Sequence, residues 1–170
     1  ANLVVCHHGN DHDHYSQLYA RNASRKIVHI PHIANPNIFY DTNTVRDIDI
    51  LLVGRSTGEH YPLRERIRKL TAQDSSGRLD QYRIHVLEHP GYEHEDAFTN
   101  RFQKEFATLL RRTKLVVTCA SRHKYRLGKY VEIPMSGAVI CGDIPDDENT
   151  FDRFIAVVDL SMTDDQILDV

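Results

Sequence analysis

Positive side chains are concentrated in one short stretch of the sequence. Five basic residues fall between positions 122 and 129, and Glu132 follows at the start of the segment EIPMSGAVICG. Basic side chains of this kind neutralise phosphate groups, and a carboxylate can accept hydrogen bonds from two neighbouring sugar hydroxyls. The stretch therefore has the residue types, in the right order, to bind a diphosphate beside a ribose.

A second candidate anion site is the segment GRSTG at positions 54–58, which is predicted to join a strand to a helix. Backbone amides in such a turn and the positive end of the next helix can hold phosphate, with Arg55 or Arg64 adding charge. The segment lacks the Lys-Ser/Thr pair of a P-loop and the full spacing of a dinucleotide fingerprint. It offers little support for an ATPase or a dehydrogenase, and a tight strand reversal explains its glycines equally well.

Histidine and aspartate are dense near the beginning of the chain, in the segment HHGNDHDH. The candidate metal ligands there are His7, His8, Asp11, His12, Asp13 and His14. These residue types suit zinc or another transition metal, but their spacing matches no tight zinc signature. A solvated loop or helix N-terminus is the preferred interpretation, with contact to an acceptor as a lesser role for His7 or His8.

The segment EHPGYEH contains a further group of candidate residues at the end of a predicted strand. Pro90 and Gly91 are typical of a turn, which would place His89 and Tyr92 at the edge of the sheet. Tyr92 could stack on a base or a sugar. The alternative, that both side chains only shape the loop, has equal support.

Composition places the chain among ordinary globular proteins. It has 170 residues and a formal net charge of −3, with 26% charged and 41% hydrophobic residues. That balance provides no overall attraction to nucleic acid or to a membrane surface. No segment approaches the roughly 20 apolar residues of a membrane-spanning helix. We expect neither a nucleic-acid partner nor a membrane span.

The three cysteines predict a reducing environment. Cys6, Cys119 and Cys141 are widely spaced, and each lies at the end of an apolar run. Such positions suit small buried hydrophobic side chains, so the sequence predicts three free thiols rather than a disulfide. Free buried thiols favour a cytoplasmic location.

Apolar runs alternate with segments of helical period along the whole chain. Strands are predicted at 3–6, 27–30, 48–53, 82–87, 115–119, 138–141 and 155–160, and helices at 15–22, 62–71, 98–110, 128–135, 148–153 and from 163. Alternation of this kind predicts an α/β fold, a Rossmann-like parallel sheet with helices on both faces. Such sheets bind ligands outside the carboxyl ends of their strands. Residues 31–47, broken by two prolines, read as a connection between a β-α-β unit at 1–30 and the main domain at 48–170.

From Ile30 onward, several segments resemble a known family in the same order. They are HIPHIANPNIFY, DIDILLVGRS, YPLRERI, EHPGY, LLRRTKLVVTCAS and KYRLGKYVEIPMSGAVICGDIPDDE. Together they resemble the nucleotide-sugar-binding half of a glycosyltransferase with the GT-B fold (group 1 glycosyl transferases). They are most similar to the group that includes spore maturation glycosyltransferase-like proteins.

The resemblance assigns roles to individual residues. Glu132 corresponds to the second glutamate of the family's E-x7-E pattern, which binds the ribose, and Gly137 to the glycine that follows it. Lys124 stands where the family has the first glutamate, a departure that leaves the donor sugar open. Arg55 corresponds to the loop that approaches the donor phosphates, and Lys129 to a basic phosphate contact for which Arg122 or Lys124 are alternatives.

These observations predict a set of nucleotide-sugar-binding residues, without a catalytic residue or a metal ligand. The set is Gly54, Arg55, Ser56, His89, Gly91, Tyr92, Ser121, Arg122, Lys124, Tyr125, Lys129, Glu132 and Gly137.

The resemblance implies transfer of a sugar from a nucleotide sugar to an acceptor, without a metal ion or other cofactor and with retention of configuration. The acceptor could be a glycan, a protein or a small molecule. Residues 1–30 correspond only to a remnant of the family's acceptor-side domain, so we expect this chain alone to be weakly active or inactive. Two alternatives stay open: a non-catalytic Rossmann-like module that binds a phosphorylated ligand or an acidic partner, and a metal-dependent hydrolase that uses the His/Asp cluster.

Overall fold

The computed structural model describes residues 3–20, 26–90, 96–146 and 155–170. Strand β1 (Leu3–Cys6), helix α1 (Gly9–Leu18) and strand β2 (Lys26–His29) form a first β-α-β unit. The two strands pair in parallel, with Val4 opposite Ile27.

The rest of the chain forms the larger part of the fold. Its elements are β3 (Ile48–Val53), α2 (Pro62–Gln73), β4 (Ile84–Leu87), α3 (Asp96–Arg112), β5 (Thr113–Val117), α4 (Lys129–Met135), β6 (Val139–Gly142), β7 (Ile155–Val157) and α5 (Asp164–Leu168). The five strands form one sheet in the order β4-β3-β5-β6-β7. All neighbouring pairs are parallel. The predicted α/β fold class is therefore confirmed.

Each face of the five-stranded sheet carries its own hydrophobic core. On one face, α3 and α4 pack Phe106, Leu110 and Ile133 against buried strand residues. On the other, α2 and α5 pack Leu63 and Ile167. Strands covered on both faces are largely apolar, which is why IDILLV shows no alternation apart from Asp49, whose carboxylate pairs with Arg83 and Lys114.

Local sequence explains where the helices beside the sheet begin and end. Pro62 occupies the first turn of α2, where its missing N–H removes no hydrogen bond. Gly137, two residues after the end of α4, has a left-handed φ of +76°. A Cβ atom at Gly137 would collide with Arg46 and Asp41, so the close contact requires glycine. Arg46 also donates hydrogen bonds to the carbonyls of Leu110 and Ser136, and so fastens the connection before β3 to α3 and α4.

Element boundaries differ from the predictions by a few residues. Helix α1 begins at Gly9, so the segment HHGNDHDH leads into a helix, one of the two forms expected for it. Strand β4 begins only at Ile84, because the Tyr82 N–H closes a turn onto the Leu79 carbonyl at 3.0 Å. The helix predicted at 148–153 lies outside the described residues.

The structure bears on the predicted state of the cysteines and on the expected lack of a membrane-spanning helix. Cys6, Cys119 and Cys141 are free and buried, as predicted. Burial raises the pKa of the Cys141 thiol to about 11, which leaves it protonated near neutral pH. Within the described ranges, no helix is both long enough and apolar enough to cross a membrane.

Candidate functional site

The topology places a crevice between the carboxyl ends of β3 and β5. Strand β3 has β4 as its neighbour on one side and β5 as its neighbour on the other side. The chain therefore goes from β3 to β4 in one direction and returns to β5 in the opposite direction. The loops after these two strands therefore diverge, which is the position where open parallel sheets bind ligands. Residues 54–61 follow β3 and residues 118–128 follow β5.

Gly54 forms the turn after β3 and fixes how closely the two sides of the crevice approach. Its φ is +88°, a left-handed conformation that side chains disfavour. A Cβ atom at this position would lie 2.8 Å from Nη1 of Arg64 and 3.3 Å from Cε of Lys129. The turn thus brings together a cation from α2 and a cation from α4.

Arg64 is a buried cation with neutral hydrogen-bond partners. Its side chain, 2% exposed, donates from Nη1 to the Arg55 carbonyl at 2.7 Å and from Nη2 to the Thr118 hydroxyl at 3.3 Å. It lies over the Tyr61 ring, with Cζ 4.6 Å from the ring centroid. Its buried Nε has no acceptor among the described residues. A buried donor and charge with neutral partners favour an anionic acceptor.

Lys129, the first residue of α4, supplies the second cation. Burial and the neighbouring Arg64 charge lower the pKa of its ammonium group, although Glu132 opposes the shift. Its Nζ lies 5.6 Å from the centroid of the Phe106 ring. In the part of the chain that the structure describes, no carboxylate lies within ion-pair distance of Lys129. Two neighbouring cations, one of them fully buried, suit an anionic ligand.

Glu132 follows Lys129 by three residues on α4, so the two side chains share one face of the helix. Its carboxylate folds back toward the start of the helix: Oε1 lies 3.5 Å from the place that a Cβ atom of Gly128 would occupy. Burial raises the pKa of Glu132, while the charge of Lys129 acts in the opposite direction. A carboxylate next to a cation pair can accept hydroxyl hydrogen bonds beside a bound anion.

Several cations of the loop after β5 have partners within the protein. Lys124 Nζ lies 2.9 Å from an Asp143 carboxylate oxygen. Arg122 is exposed, with Nη1 3.6 Å from the Glu59 carboxylate, and its backbone N–H donates to the His60 carbonyl. Lys124 and Arg122 thus stabilise the loop, in contrast to Lys129.

Tyr125 connects this loop to the first β-α-β unit. Its ring stacks on the His8 ring, with centroids 4.0 Å apart and planes 6° apart. The His123 ring also stacks on Tyr125, with a centroid distance of 5.3 Å. The Tyr125 hydroxyl donates to an Asp11 carboxylate oxygen at 2.7 Å. That hydrogen bond and burial raise the tyrosine pKa to about 12. The contact brings the histidine-rich segment to the edge of the crevice.

The remaining predicted site residues lie in different places. The Ser56 hydroxyl, in the loop after β3, accepts a hydrogen bond from Arg68 at 2.9 Å. Ser121 is buried in the loop after β5, and its hydroxyl accepts from the His123 N–H. The His89 ring lies 6.3 Å from that of Phe102, after β4.

Of the predicted residues that the structure describes, Gly137 is not brought to the crevice. Gly137 lies at the opposite end of α4, near the start of β6, against Arg46. Gly91 and Tyr92 lie outside the described residues. Arg55 is exposed in the loop after β3, where its carbonyl holds Arg64.

The histidine-rich segment does not gather a metal-ligand set in the region described. Across residues 3–20, 26–90, 96–146 and 155–170, no three His, Cys, Asp or Glu side chains are arranged to hold a metal ion. Instead, the His7 ring stacks on His32 at 4.9 Å, and its Nδ1 lies 2.9 Å from the Ile30 carbonyl oxygen.

Arg64 is the residue that the sequence-based site set omitted. The sequence named it only as an alternative to Arg55 for adding charge after β3. A signal was nevertheless present, since Arg64 lies between Leu63 and Ile67 on the apolar side of α2. A charged residue in such a position is buried and needs a specific reason to be there.

Comparisons with known proteins give structural matches alone. No family model matches the sequence, and no curated protein matches it. The chain is similar in structure to the GtfA/B complex, with a TM-score of 0.53 and 14% identity over 99% of this chain. It is equally similar to the pneumococcal O-GlcNAc transferase GtfA in complex with UDP and GlcNAc, with a TM-score of 0.53 and 14% identity over 99% of this chain.

The chain spans 37% and 36% of the lengths of those two structures. At this level of identity the likeness shows the fold alone. The chain has an α/β fold with a five-stranded parallel sheet, matching structures of GT-B type glycosyltransferases.

Proposed function

We propose that this chain is the donor-binding part of a glycosyltransferase, which transfers a sugar from a nucleotide sugar to an acceptor. The observation that carries the proposal is a pair of cations, the buried Arg64 and the partly buried Lys129, that meet at Gly54 in the crevice. Such a pair suits the diphosphate of a nucleotide sugar, and Glu132 beside it suits the ribose hydroxyls. The structural relative described as a complex with UDP and GlcNAc lends support at the level of fold.

The chemistry follows from the charge that develops during sugar transfer. When the bond between the sugar and the diphosphate breaks, negative charge accumulates on the departing phosphate oxygen. Cations that are already in place in a partly desolvated site stabilise that charge without reorganisation. In our proposal Arg64 and Lys129 perform this role, with Arg55 at the exposed rim.

The two side-chain cations supply the positive charge that many sugar-transfer enzymes take from a divalent ion. We therefore propose that donor binding is independent of metal. We also propose retention of configuration at the sugar, which needs no general base to activate the acceptor. The acceptor could be a glycan, a protein or a small molecule, and its binding would involve chain beyond the five-stranded sheet.

Calorimetric titration with UDP, GDP and ADP, each with and without EDTA, tests the proposal. We expect one of the three nucleotides to bind with an affinity that EDTA does not change. Binding that EDTA abolishes would contradict metal independence. Silence toward all three nucleotides would favour the alternative, a non-catalytic module that binds another phosphorylated ligand or an acidic partner.

A further inference from the structure

We infer that Asp143 is a positioning residue, which holds both the loop after β5 and the start of α4 in the geometry that an anionic ligand needs. The inference rests on the proposed diphosphate site and adds a residue to it. Asp143 follows β6 directly, and it is 6% exposed. It touches neither Arg64 nor Gly54 in the described contacts, so it would act through other residues.

The carboxylate of Asp143 makes hydrogen bonds to three different parts of the chain. Oδ1 accepts from the Ala120 N–H at 2.7 Å and from the Tyr130 hydroxyl at 3.3 Å. Oδ2 accepts from Lys124 Nζ at 2.9 Å. The Asp143 carbonyl accepts from the same Tyr130 hydroxyl at 2.6 Å. One buried side chain thus joins the beginning of the loop, its middle and the following helix.

The loop needs such support because its backbone is unfavourable by itself. Ser121 has a φ of +64° and Lys124 a φ of +55°, and neither is a glycine. Side chains in this left-handed region are disfavoured, so contacts from outside the loop must maintain it. Besides the ion pair, the Asp146 N–H donates to the Lys124 carbonyl at 2.9 Å, again from the chain after β6.

The contact with Tyr130 extends the effect to the proposed ligand site. Tyr130 is fully buried and lies between Lys129 and Glu132 on the first turns of α4. Its hydroxyl donates mainly to the Asp143 carbonyl, at 2.6 Å, and the carboxylate oxygen lies farther away, at 3.3 Å. The position of Asp143 therefore sets the direction in which α4 presents its two charged side chains. The loop side of the same carboxylate lines a cavity of about 190 Å³ with Ser121, Arg122 and Lys124.

The substitution Asp143→Asn isolates the ionic part of this arrangement. Asparagine keeps an oxygen that can accept from Ala120 and Tyr130, but it no longer pairs with Lys124. A purely electrostatic view predicts tighter anion binding, because a negative charge near the site is removed. The positioning role predicts the opposite, so the direction of the change separates the two explanations.

The probes are inorganic pyrophosphate, UDP and uridine, titrated into the whole chain. For Asp143→Asn we expect about tenfold weaker binding of pyrophosphate and UDP, and uridine affinity within about twofold of wild type. Equal losses for uridine and UDP would overturn the inference, because they would report general damage to the fold. Unchanged or tighter pyrophosphate binding would also overturn it.

Two control variants sharpen the test. Asp146→Asn removes an exposed carboxylate near the same end of β6 but leaves its backbone contact to Lys124 intact, and we expect no loss of affinity. Lys124→Met should match the loss of Asp143→Asn, and the double variant should show no further loss, because both changes break one contact. Additive losses would contradict a shared role.

Amide hydrogen exchange provides a readout that needs no ligand. In Asp143→Asn we expect faster exchange at residues 120–124 and unchanged exchange in α2. If wild type binds none of the probes, the proposed diphosphate site fails, while exchange still reports on the loop. Unchanged exchange at residues 120–124 would overturn the positioning role itself.

Discussion

Lys129 Cε lies 3.3 Å from the place that a Cβ atom of Gly54 would occupy, and Arg64 Nη1 lies closer still, so a larger residue in the turn after β3 would press on both cations. The substitution Gly54→Ala should therefore displace Lys129 and Arg64. We expect a loss of about 1 to 3 kcal/mol in the free energy of unfolding, because of the left-handed φ and the clash. Nucleoside diphosphate affinity should fall at least about tenfold, because a small misplacement of binding groups is costly.

Gly77→Ala is the matched control for this prediction. Gly77 has a similar φ of +73°. A Cβ atom at Gly77 would lie 3.4 Å from Asp80 Oδ2, which is an ordinary contact distance. The control should lose stability through backbone strain but keep nucleotide affinity. Denaturant unfolding and calorimetry measure the two quantities. Wild-type affinity in Gly54→Ala would show that the turn is not part of the site.

Lys129→Met should stabilise the ligand-free protein and weaken nucleotide binding. Burial and the Arg64 charge disfavour the ammonium form, so replacing it with an apolar side chain relieves a cost. We expect a gain of about 1 kcal/mol in the free energy of unfolding. The exposed Lys104→Met should change neither quantity. Destabilisation by Lys129→Met would indicate that the lysine has a structural role instead.

The pH dependence of stability gives an independent check on Lys129. Its pKa in the folded protein lies below the ordinary value of 10.5. Between those two values the unfolded chain binds more protons, so wild-type stability should rise with pH across that window. Urea unfolding at several pH values measures this rise. Lys129→Met should lack it, and an equal rise in both proteins would exclude Lys129 as its source.

Glu132→Ala should weaken binding through the sugar hydroxyls of the nucleotide. If the hydrogen bonds are buried, the loss should be about 1 to 3 kcal/mol of binding free energy. The comparison ligand is the 2′,3′-dideoxy form of the same nucleotide, measured by calorimetry with both proteins. We expect the substitution to have little effect on that ligand. An equal loss for both ligands would remove the ribose assignment.

Nucleotide affinity should pass through a maximum at a pH between the pKa of Glu132 and the pKa of Lys129. Burial raises the Glu132 pKa above 4.5, so affinity should rise with pH as its carboxylate ionises. The lowered Lys129 pKa means that affinity falls as pH increases toward 10.5. The terminal phosphate also ionises, with a pKa of about 6, and Glu132→Gln separates its contribution. The rising limb should shift in that variant, and an unchanged limb would exclude Glu132.

The sequence was sufficient to predict the parallel sheet, while ligand binding at the carboxyl edge of its strands stays a prediction. Largely apolar runs such as Ile48–Val53 indicate strands covered on both faces, and their order with the helices predicts a parallel arrangement. Lys129 and Glu132 could be placed near the sheet edge because they follow the loop after β5, at the start of α4.

The partners of individual charges could not be predicted from the sequence. Lys124 and Asp143 are separated along the chain, and they meet because β5 and β6 are neighbours in the sheet. Arg64 is buried because α2 turns it across the end of β5 toward Thr118. Local residue types do not reveal such contacts, since they depend on how the elements pack.

The central claim is that a nucleoside diphosphate binds in the crevice formed by Gly54, Arg64, Lys129 and Glu132. The most direct measurement is an NMR titration of the isotope-labelled chain with the nucleotide that binds, in buffer containing EDTA. We predict that the amide shift changes concentrate in residues 54–58 and 128–132 and in the Arg64 side-chain N–H signal. Changes confined to other parts of the chain, with those signals unmoved at saturation, would contradict the claim.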